Sequence, residues 1–318
     1  MKTIICTLFE GNYHLGVAVL INSLHKNGYT GNIFVGYRGK LPNWSSDAAP
    51  NPQIPWENCL TLKVASNLNV HFLPIETDIH FTNYKPKFIL DLWSMYAADK
   101  PEIEGIFYFD PDIVNKGPWD FYERWIGYGI AVVHEVVYHD MPHLHPKRCQ
   151  WMAISNKAGI EVKNRLNSYV NAGFIGVSRA HLPFIEMWKN LIQTGVDHFS
   201  FNPTQFGQSI YGSDLLKMGD QDLLNLSLMC TPFPISEYGP EGMDFSNGGW
   251  LMSHATGAPK PWNNKYLLQW LKGRKPSIQN KVYWQNAIGI VKCYSPAFVS
   301  RKAFFLKMAT FLSRFYSK

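Results

Sequence analysis

Tyr108-Phe109-Asp110-Pro111-Asp112-Ile113-Val114 decides the reading of this chain, because an apolar, strand-like run ends there in two carboxylates separated by one residue. Side chains alternate along a strand, so Asp110 and Asp112 are expected to project the same way. Two hard oxygen ligands at the carboxyl end of a buried strand suit Mn²⁺ or Mg²⁺, and such an ion neutralises a bound diphosphate. That chemistry belongs to nucleotide-activated substrates. The plainer reading of the same residues is a turn after a strand, since Asp and Pro are common turn residues.

A second stretch, His254-Ala255-Thr256-Gly257-Ala258-Pro259-Lys260-Pro261-Trp262, pairs one imidazole with one ammonium around a glycine. His254 can complete a manganese coordination set. Lys260 can meet phosphates as a point charge, and Gly257 lets the backbone approach a ligand closely. The alternative is a surface loop with both charges solvated and Trp262 plugging the core.

Between these lie Tyr169-Val170-Asn171-Ala172-Gly173-Phe174-Ile175-Gly176-Val177 and Gly219-Asp220-Gln221-Asp222-Leu223-Leu224-Asn225. The four segments, in this order, resemble the retaining GT-A glycosyltransferases of the glycogenin and bacterial lipooligosaccharide galactosyltransferase family, from the first strand to about Trp262. The ordered set is far more specific than any single motif. The resemblance implies Asp110, Asp112 and His254 as ligands of Mn²⁺ (or Mg²⁺), Gly257 and Lys260 at the diphosphate, and Asn171, Ala172, Asp220 and Gln221 along the donor sugar. The family's basic residue before the carboxylate pair is matched here to Lys87, in Lys85-Pro86-Lys87-Phe88-Ile89-Leu90. Where the family shows acidic residues for the nucleotide base, this chain has Thr7-Leu8-Phe9-Glu10-Gly11-Asn12-Tyr13, with Thr7 and Tyr13 the donor-contact candidates. The implied activity is transfer of a hexose from a nucleotide diphosphate sugar to a saccharide or lipid-linked glycan acceptor in cell-surface glycan synthesis. Gln221 would then stabilise an oxocarbenium-like transition state, with Asp220 or Asp222 as the alternative, a covalent nucleophile. Asp222 is otherwise a positioning residue.

The chain order supports the same fold class, an α/β GT-A (Rossmann-like) mostly parallel sheet flanked by helices, with a helical basic C-terminal tail. Lys2 to Leu8 reads as a strand, Gly16 to Lys26 as a helix with Val17, Leu20, Ile21 and Leu24 on one face, and Ile33 to Tyr37 as a second strand. Four prolines make Leu41 to Glu57 an irregular insertion, followed by a strand near Val70 to Leu73. Pro86 is expected to open a helix reaching Asp99, which leads into the Ile106 to Phe109 strand. Ligands in such sheets bind beyond the carboxyl ends of the strands, where Thr7, Asp110 and Asp112 fall.

With 318 residues and 46% hydrophobic content, one enlarged α/β domain over residues 1–291 is expected, with 292–318 as a tail. Five scattered cysteines without metal-ligand spacing favour a reduced, cytoplasmic setting and ordinary buried thiols. No apolar run approaches the ~20 residues of a membrane span. The tail holds Lys292, Arg301, Lys302, Lys307, Arg314 and Lys318 and no acid, which equals the whole net charge of +6. Its Phe304, Phe305, Met308, Phe311, Leu312 and Phe315 recur at helical spacing, so the tail reads either as an anchor on an anionic membrane surface or as a helix packed on the core. Nucleic acid is not the expected partner, because no binding module is recognisable.

Val133 to Trp151 is rich in polar and aromatic residues and is read as an acceptor-binding loop, with His134 and Glu135 best placed just past a strand at Ile130 to Val133. Zinc on His139, His143 and His145 is disfavoured by Pro142 and Pro146. Trp119, Trp188, Trp250 and Trp270 are assigned to the core. Two rival classes are a nucleotidyltransferase and a non-catalytic sugar-nucleotide-binding protein. Gly11-Asn12-Tyr13-His14-Leu15-Gly16 lacks the phosphate-loop signature expected of the first, and the filled polar positions argue against the second.

Overall fold

The computed structural model describes residues 2–136, 140–207 and 215–315. Eleven strands and nine helices are found among them: β1 (Lys2–Glu10), α1 (His14–Lys26), β2 (Gly31–Arg38), β3 (Ala49–Pro50), β4 (Leu60–Ala65), β5 (Leu68–Pro74), α2 (Phe81–Leu92), β6 (Ile103–Phe109), β7 (Ile113–Asn115), α3 (Trp119–Trp125), β8 (Ile130–Val133), α4 (Pro146–Lys157), β9 (Phe174–Ser178), α5 (Pro183–Phe199), α6 (Gly219–Cys230), β10 (Ile235–Tyr238), β11 (Met252–His254), α7 (Tyr266–Leu271), α8 (Ile278–Gln285) and α9 (Pro296–Leu312). Nine strands form one sheet in the order β10-β8-β9-β6-β1-β2-β5-β4-β3. Only β4 and β9 run against the common direction, so the sheet is mostly parallel. β1 is buried on both faces, which is why its apolar run is nearly continuous rather than alternating. Helices α2, α4, α5 and α6 cover one face, and α1 and α3 the other.

Several local expectations change. The helix expected to open at Pro86 begins at Phe81, capped by His80, whose Nδ1 accepts from the Thr82 N–H at 3.3 Å. Pro86 therefore lies inside it, and a π-helical turn, Trp93–Ala97, follows. A histidine cap is outside the usual Ser, Thr, Asp and Asn set, so the proline was the stronger local signal. The β3–β4 hairpin and α4, which starts with Pro146 in its first turn after His145, were missed as elements. Trp119 and Trp188 are buried as expected, but Trp250 is 43% exposed and lies edge-on to Phe121. Cys149 is likewise exposed, unlike Cys6, Cys59 and Cys230.

The C-terminal helix packs. Val299, Leu306 and Ala309 of α9 are buried with Trp262, Tyr266, Tyr283 and Trp284 in a separate helical corner formed with α7 and α8. The expected phenylalanine stripe faces elsewhere, with Phe304, Phe311 and Phe315 exposed. No helix among the described residues is long and apolar enough to cross a membrane.

Candidate functional site

The two carboxylates converge through a turn rather than through strand alternation. β6 stops at Phe109, and the Ile113 N–H donates to the Asp110 carbonyl at 3.0 Å, folding Asp110-Pro111-Asp112 back into β7. α1 presses on this turn at Gly16, where a Cβ would sit 2.2 Å from the Pro111 carbonyl oxygen. β7 pairs antiparallel with β11, Ile113 opposite His254, and this ribbon brings in the imidazole across more than a hundred residues of chain. The Ala255 N–H continues the ladder to the Asp112 carbonyl. On the other side, the pairing of Phe109 with Phe174 sets Gly173 beside Asp110. A Cβ on Gly173 would lie 2.4 Å from His254 Cε1, so glycine there keeps the ring in place.

Asp110, Asp112 and His254 present ligand atoms within 4.8 Å of one another, and among the described residues they form the one such cluster. His254 Nε2 lies 3.2 Å from Asp112 Oδ1, while its buried Nδ1 has no hydrogen-bond partner. Lys260 Nζ sits 2.5 Å from Asp112 Oδ2 and donates to the Ala255 carbonyl at 2.8 Å. Burial alone would raise the Asp112 pKa, but His254 and then Lys260 outweigh it and hold the carboxyl well below its usual range.

Lys85 supplies the second cation. It is 2% exposed and reaches Asp110 Oδ1 at 3.1 Å, Asp220 Oδ2 at 3.2 Å and the Ala172 carbonyl at 3.0 Å. Burial opposes its charge, yet Asp110 and Asp220 raise its pKa above the ordinary value. Lys87, the sequence-based candidate, is corrected by this arrangement. It points outward from α2 and pairs with Asp91 at 2.6 Å on the helix surface. Periodicity held the signal for Lys85, since Phe81, Tyr84, Lys85, Phe88, Ile89 and Leu92 fall on one helical face and all are buried.

These contacts gather three carboxylates around two ammonium groups. A divalent cation turns the residual negative charge into a positive one, the sign a diphosphate requires. The two-carboxylate, one-imidazole donor set, with its buried unpaired Nδ1, fits Mn²⁺ or Mg²⁺.

The cluster opens into a cavity of about 650 Å³. Tyr13, Gly257 and Lys260 line it at the metal end, while Asn171, Ala172, Asp220, Gln221, Asp222 and Glu135 line the remainder. Gly257 holds φ at +76°, a left-handed conformation that suits glycine. Gln221 Oε1 accepts from the Ala172 N–H at 3.0 Å, which locks the amide against the cavity wall. Asp222 accepts from Tyr169 Oη at 2.6 Å and from the backbone N–H groups of Lys217 and Met218 at 2.7 and 3.0 Å, so its contacts are those of a positioning residue. Burial raises its pKa despite those bonds.

Two further candidates are corrected. Thr7 is fully buried in β1 with an unpartnered hydroxyl, and Leu8, Phe9, Glu10 and Tyr13 form the cavity wall at that strand end instead. Glu10, missed from sequence, faces the cavity and accepts from Arg38 Nη2 at 2.8 Å. His134 and Glu135, adjacent in an extended segment, face opposite ways. Glu135 lines the main cavity and accepts from Asn171 Nδ2 at 2.6 Å, whereas His134 lines a separate shallow groove and meets Glu237 at 2.6 Å. Tyr138 and His139 of the expected acceptor loop lie outside the described residues.

Neither a described protein family nor a curated protein matches the sequence. Solved structures do. The galactosyltransferase LgtC, in complex with donor and acceptor sugar analogs, superposes over 94% of this chain and 100% of its own, with a TM-score of 0.52 at 14% identity. This is the GT-A glycosyltransferase fold. The bifunctional glycosyltransferase WbbM (TM-score 0.54, 13% identity) and the glycosyltransferase GlyE of Streptococcus pneumoniae TIGR4 (TM-score 0.53, 14% identity) match over 95% and 97% of this chain. The GT-A chain here spans 52% of WbbM and 64% of GlyE.

Proposed function

We propose that this GT-A protein transfers a hexose from a nucleotide diphosphate sugar to a saccharide hydroxyl with retention at the anomeric carbon, in the assembly of a cell-surface glycan. The observation that carries this reading is the joining of the Asp110, Asp112 and His254 donor set, flanked by Lys260, to the Ala172, Asp220 and Gln221 wall of one cavity. A bound Mn²⁺ or Mg²⁺ would supply charge neutralisation at the diphosphate. Lys260 would take the departing phosphate charge, and Gly257 gives the diphosphate close access to backbone. The bond from the anomeric carbon to phosphate oxygen breaks, the bond to the acceptor oxygen forms, and the acceptor's proton passes to the departing phosphate. Gln221 lies along the face where positive charge develops on the sugar, and Lys85 holds Asp220 and Asp110 in register. Asn171, Ala172, Asp220 and Asp222 frame the donor, with Glu135 at the acceptor side. A lipid-linked acceptor would bring the enzyme to the cytoplasmic membrane face, where the basic C-terminal region would meet anionic lipid.

Thermal-shift measurements with nucleotide diphosphates and their sugars, with and without Mn²⁺, test the reading. A native-state ligand raises Tm, and metal and nucleotide together should raise it more than the sum of each alone. No shift with any nucleotide, or no metal dependence, would refute it.

A further inference from the structure

Beyond Asp244 the chain holds 12 of its 30 Lys and Arg residues and none of its 24 Asp and Glu residues. Residues 1–244 therefore carry 18 basic against 24 acidic residues, and the positive excess of the protein lies wholly in the C-terminal region. Six of those twelve basic residues precede Lys292, so the excess does not belong to the tail alone.

The fold gathers these charges. α7, α8 and α9 share one apolar centre, so the positive region is a packed helical corner rather than a loose extension. The turn after α7 exposes Lys272, Arg274 and Lys275 around Gly273, and α7 itself exposes Leu268 and Leu271. α9 adds exposed Arg301, Lys307 and Arg314 beside Phe304, Phe311 and Phe315, which are 58%, 56% and 74% exposed. Lys302 ties the two helices by donating to the Asn264 carbonyl at 2.9 Å. Among the described residues none of the Lys and Arg side chains from 265 to 314 forms an ion pair. Lys302 registers the crowding: burial, then Arg301 and Lys265, push its pKa below the usual lysine range. Like charges held together without acids cost free energy in the isolated protein, and an anionic partner removes that cost.

We propose that α7, its basic turn Lys272–Lys275 and α9 form one folded docking surface for an anionic lipid bilayer, with the exposed phenylalanines entering the headgroup region. The inference deepens the membrane reading above, since it names the partner's chemistry and moves part of the contact ahead of the tail. A bilayer fits better than a purely charged partner because the large apolar side chains stand exposed between the bases, the combination that interfacial helices use.

The test uses the full chain in sedimentation with phosphatidylcholine vesicles, with and without phosphatidylglycerol, at low and high salt. Binding is expected only to the anionic vesicles and should weaken as salt rises. The triple change Lys272→Glu, Arg274→Glu, Lys275→Glu, with α9 untouched, should lower partitioning at least tenfold, as should Phe304→Ser with Phe311→Ser. Both variants sit at exposed positions and should keep the wild-type Tm, which separates lost docking from lost folding. Absence of binding to anionic vesicles at low salt would overturn the proposal, as would full binding by the Lys272–Lys275 variant. Equal binding to single-stranded nucleic acid, unaffected by the phenylalanine changes, would assign the surface to a different partner. Donor-dependent Tm shifts are read separately, so failure of the sugar-transfer reading and failure of the docking surface are distinguishable.

Discussion

Replacing Lys85 by methionine tests the architecture of the site most directly. The ammonium is 2% exposed and lies 3.1 and 3.2 Å from carboxylates of Asp110 and Asp220. At an effective dielectric of about 20, each contact represents a gross attraction of about 5 kcal/mol, most of which offsets desolvation. What remains on removing one partner of a buried pair is typically a loss of about 3–5 kcal/mol, because the orphaned carboxylate stays buried. Lys85→Met should therefore lose about that much in urea unfolding at pH 7, and less at pH values where Asp220 can accept a proton. Adding Asp220→Asn should restore part of the stability without restoring turnover, because it removes the orphaned charge but not the need for an ordered site. Lys87→Met, removing an exposed pair with Asp91, should cost no more than about 1 kcal/mol. Equal effects of the two lysine substitutions, or a Lys85→Met protein as stable and active as wild type, would refute the assignment of Lys85.

Gly173→Ala should displace the His254 ring, with which its Cβ would collide, and weaken Mn²⁺ binding measured by calorimetry at least tenfold while the protein stays folded. Gln221→Ala should lower kcat by roughly a hundredfold with little change in donor affinity, and should cost about 1 kcal/mol of stability because the Ala172 N–H loses its acceptor; a rise in KM alone would reduce the residue to binding. His71, buried between Thr61 and Asn32, has its pKa lowered to about 4 by burial, whereas an unfolded histidine titrates near 6.5. Its contribution is fully present above pH ~6.5 and is lost as pH falls towards 4, at most about 3 kcal/mol, so His71→Gln should flatten the fall of Tm across that window. Truncation after Val291 removes Val299, Leu306 and Ala309 from the helical corner and should lower Tm measurably; an unchanged melt would show that α9 adds no packing.

The short motifs were legible in the sequence because each combines local backbone chemistry with a distinctive side chain. The Asp110-Pro111-Asp112 turn, the glycine at 257 and the acidic start of α6 need only neighbours along the chain. β1 and β6 announced themselves through apolar runs, and the alternation of strands and helices carried the sheet class. Partnership was a different matter. Lys85 and Lys87 are nearly equivalent as letters beside Pro86, and only the position of the helix start at Phe81 turns one inward and the other to Asp91. His134 and Glu135 are adjacent, yet strand geometry sends them to opposite sides of one wall. The phenylalanine stripe of α9 was visible, but which face it covers depends on where α7 and α8 dock. Periodicity along a chain specifies that a face exists. The choice of what lies against that face, and whether a charge on it is buried and paired or left to solvent, is made by long-range packing, which brings Asp110, Ala172 and Asp220 to one ammonium across well over a hundred residues.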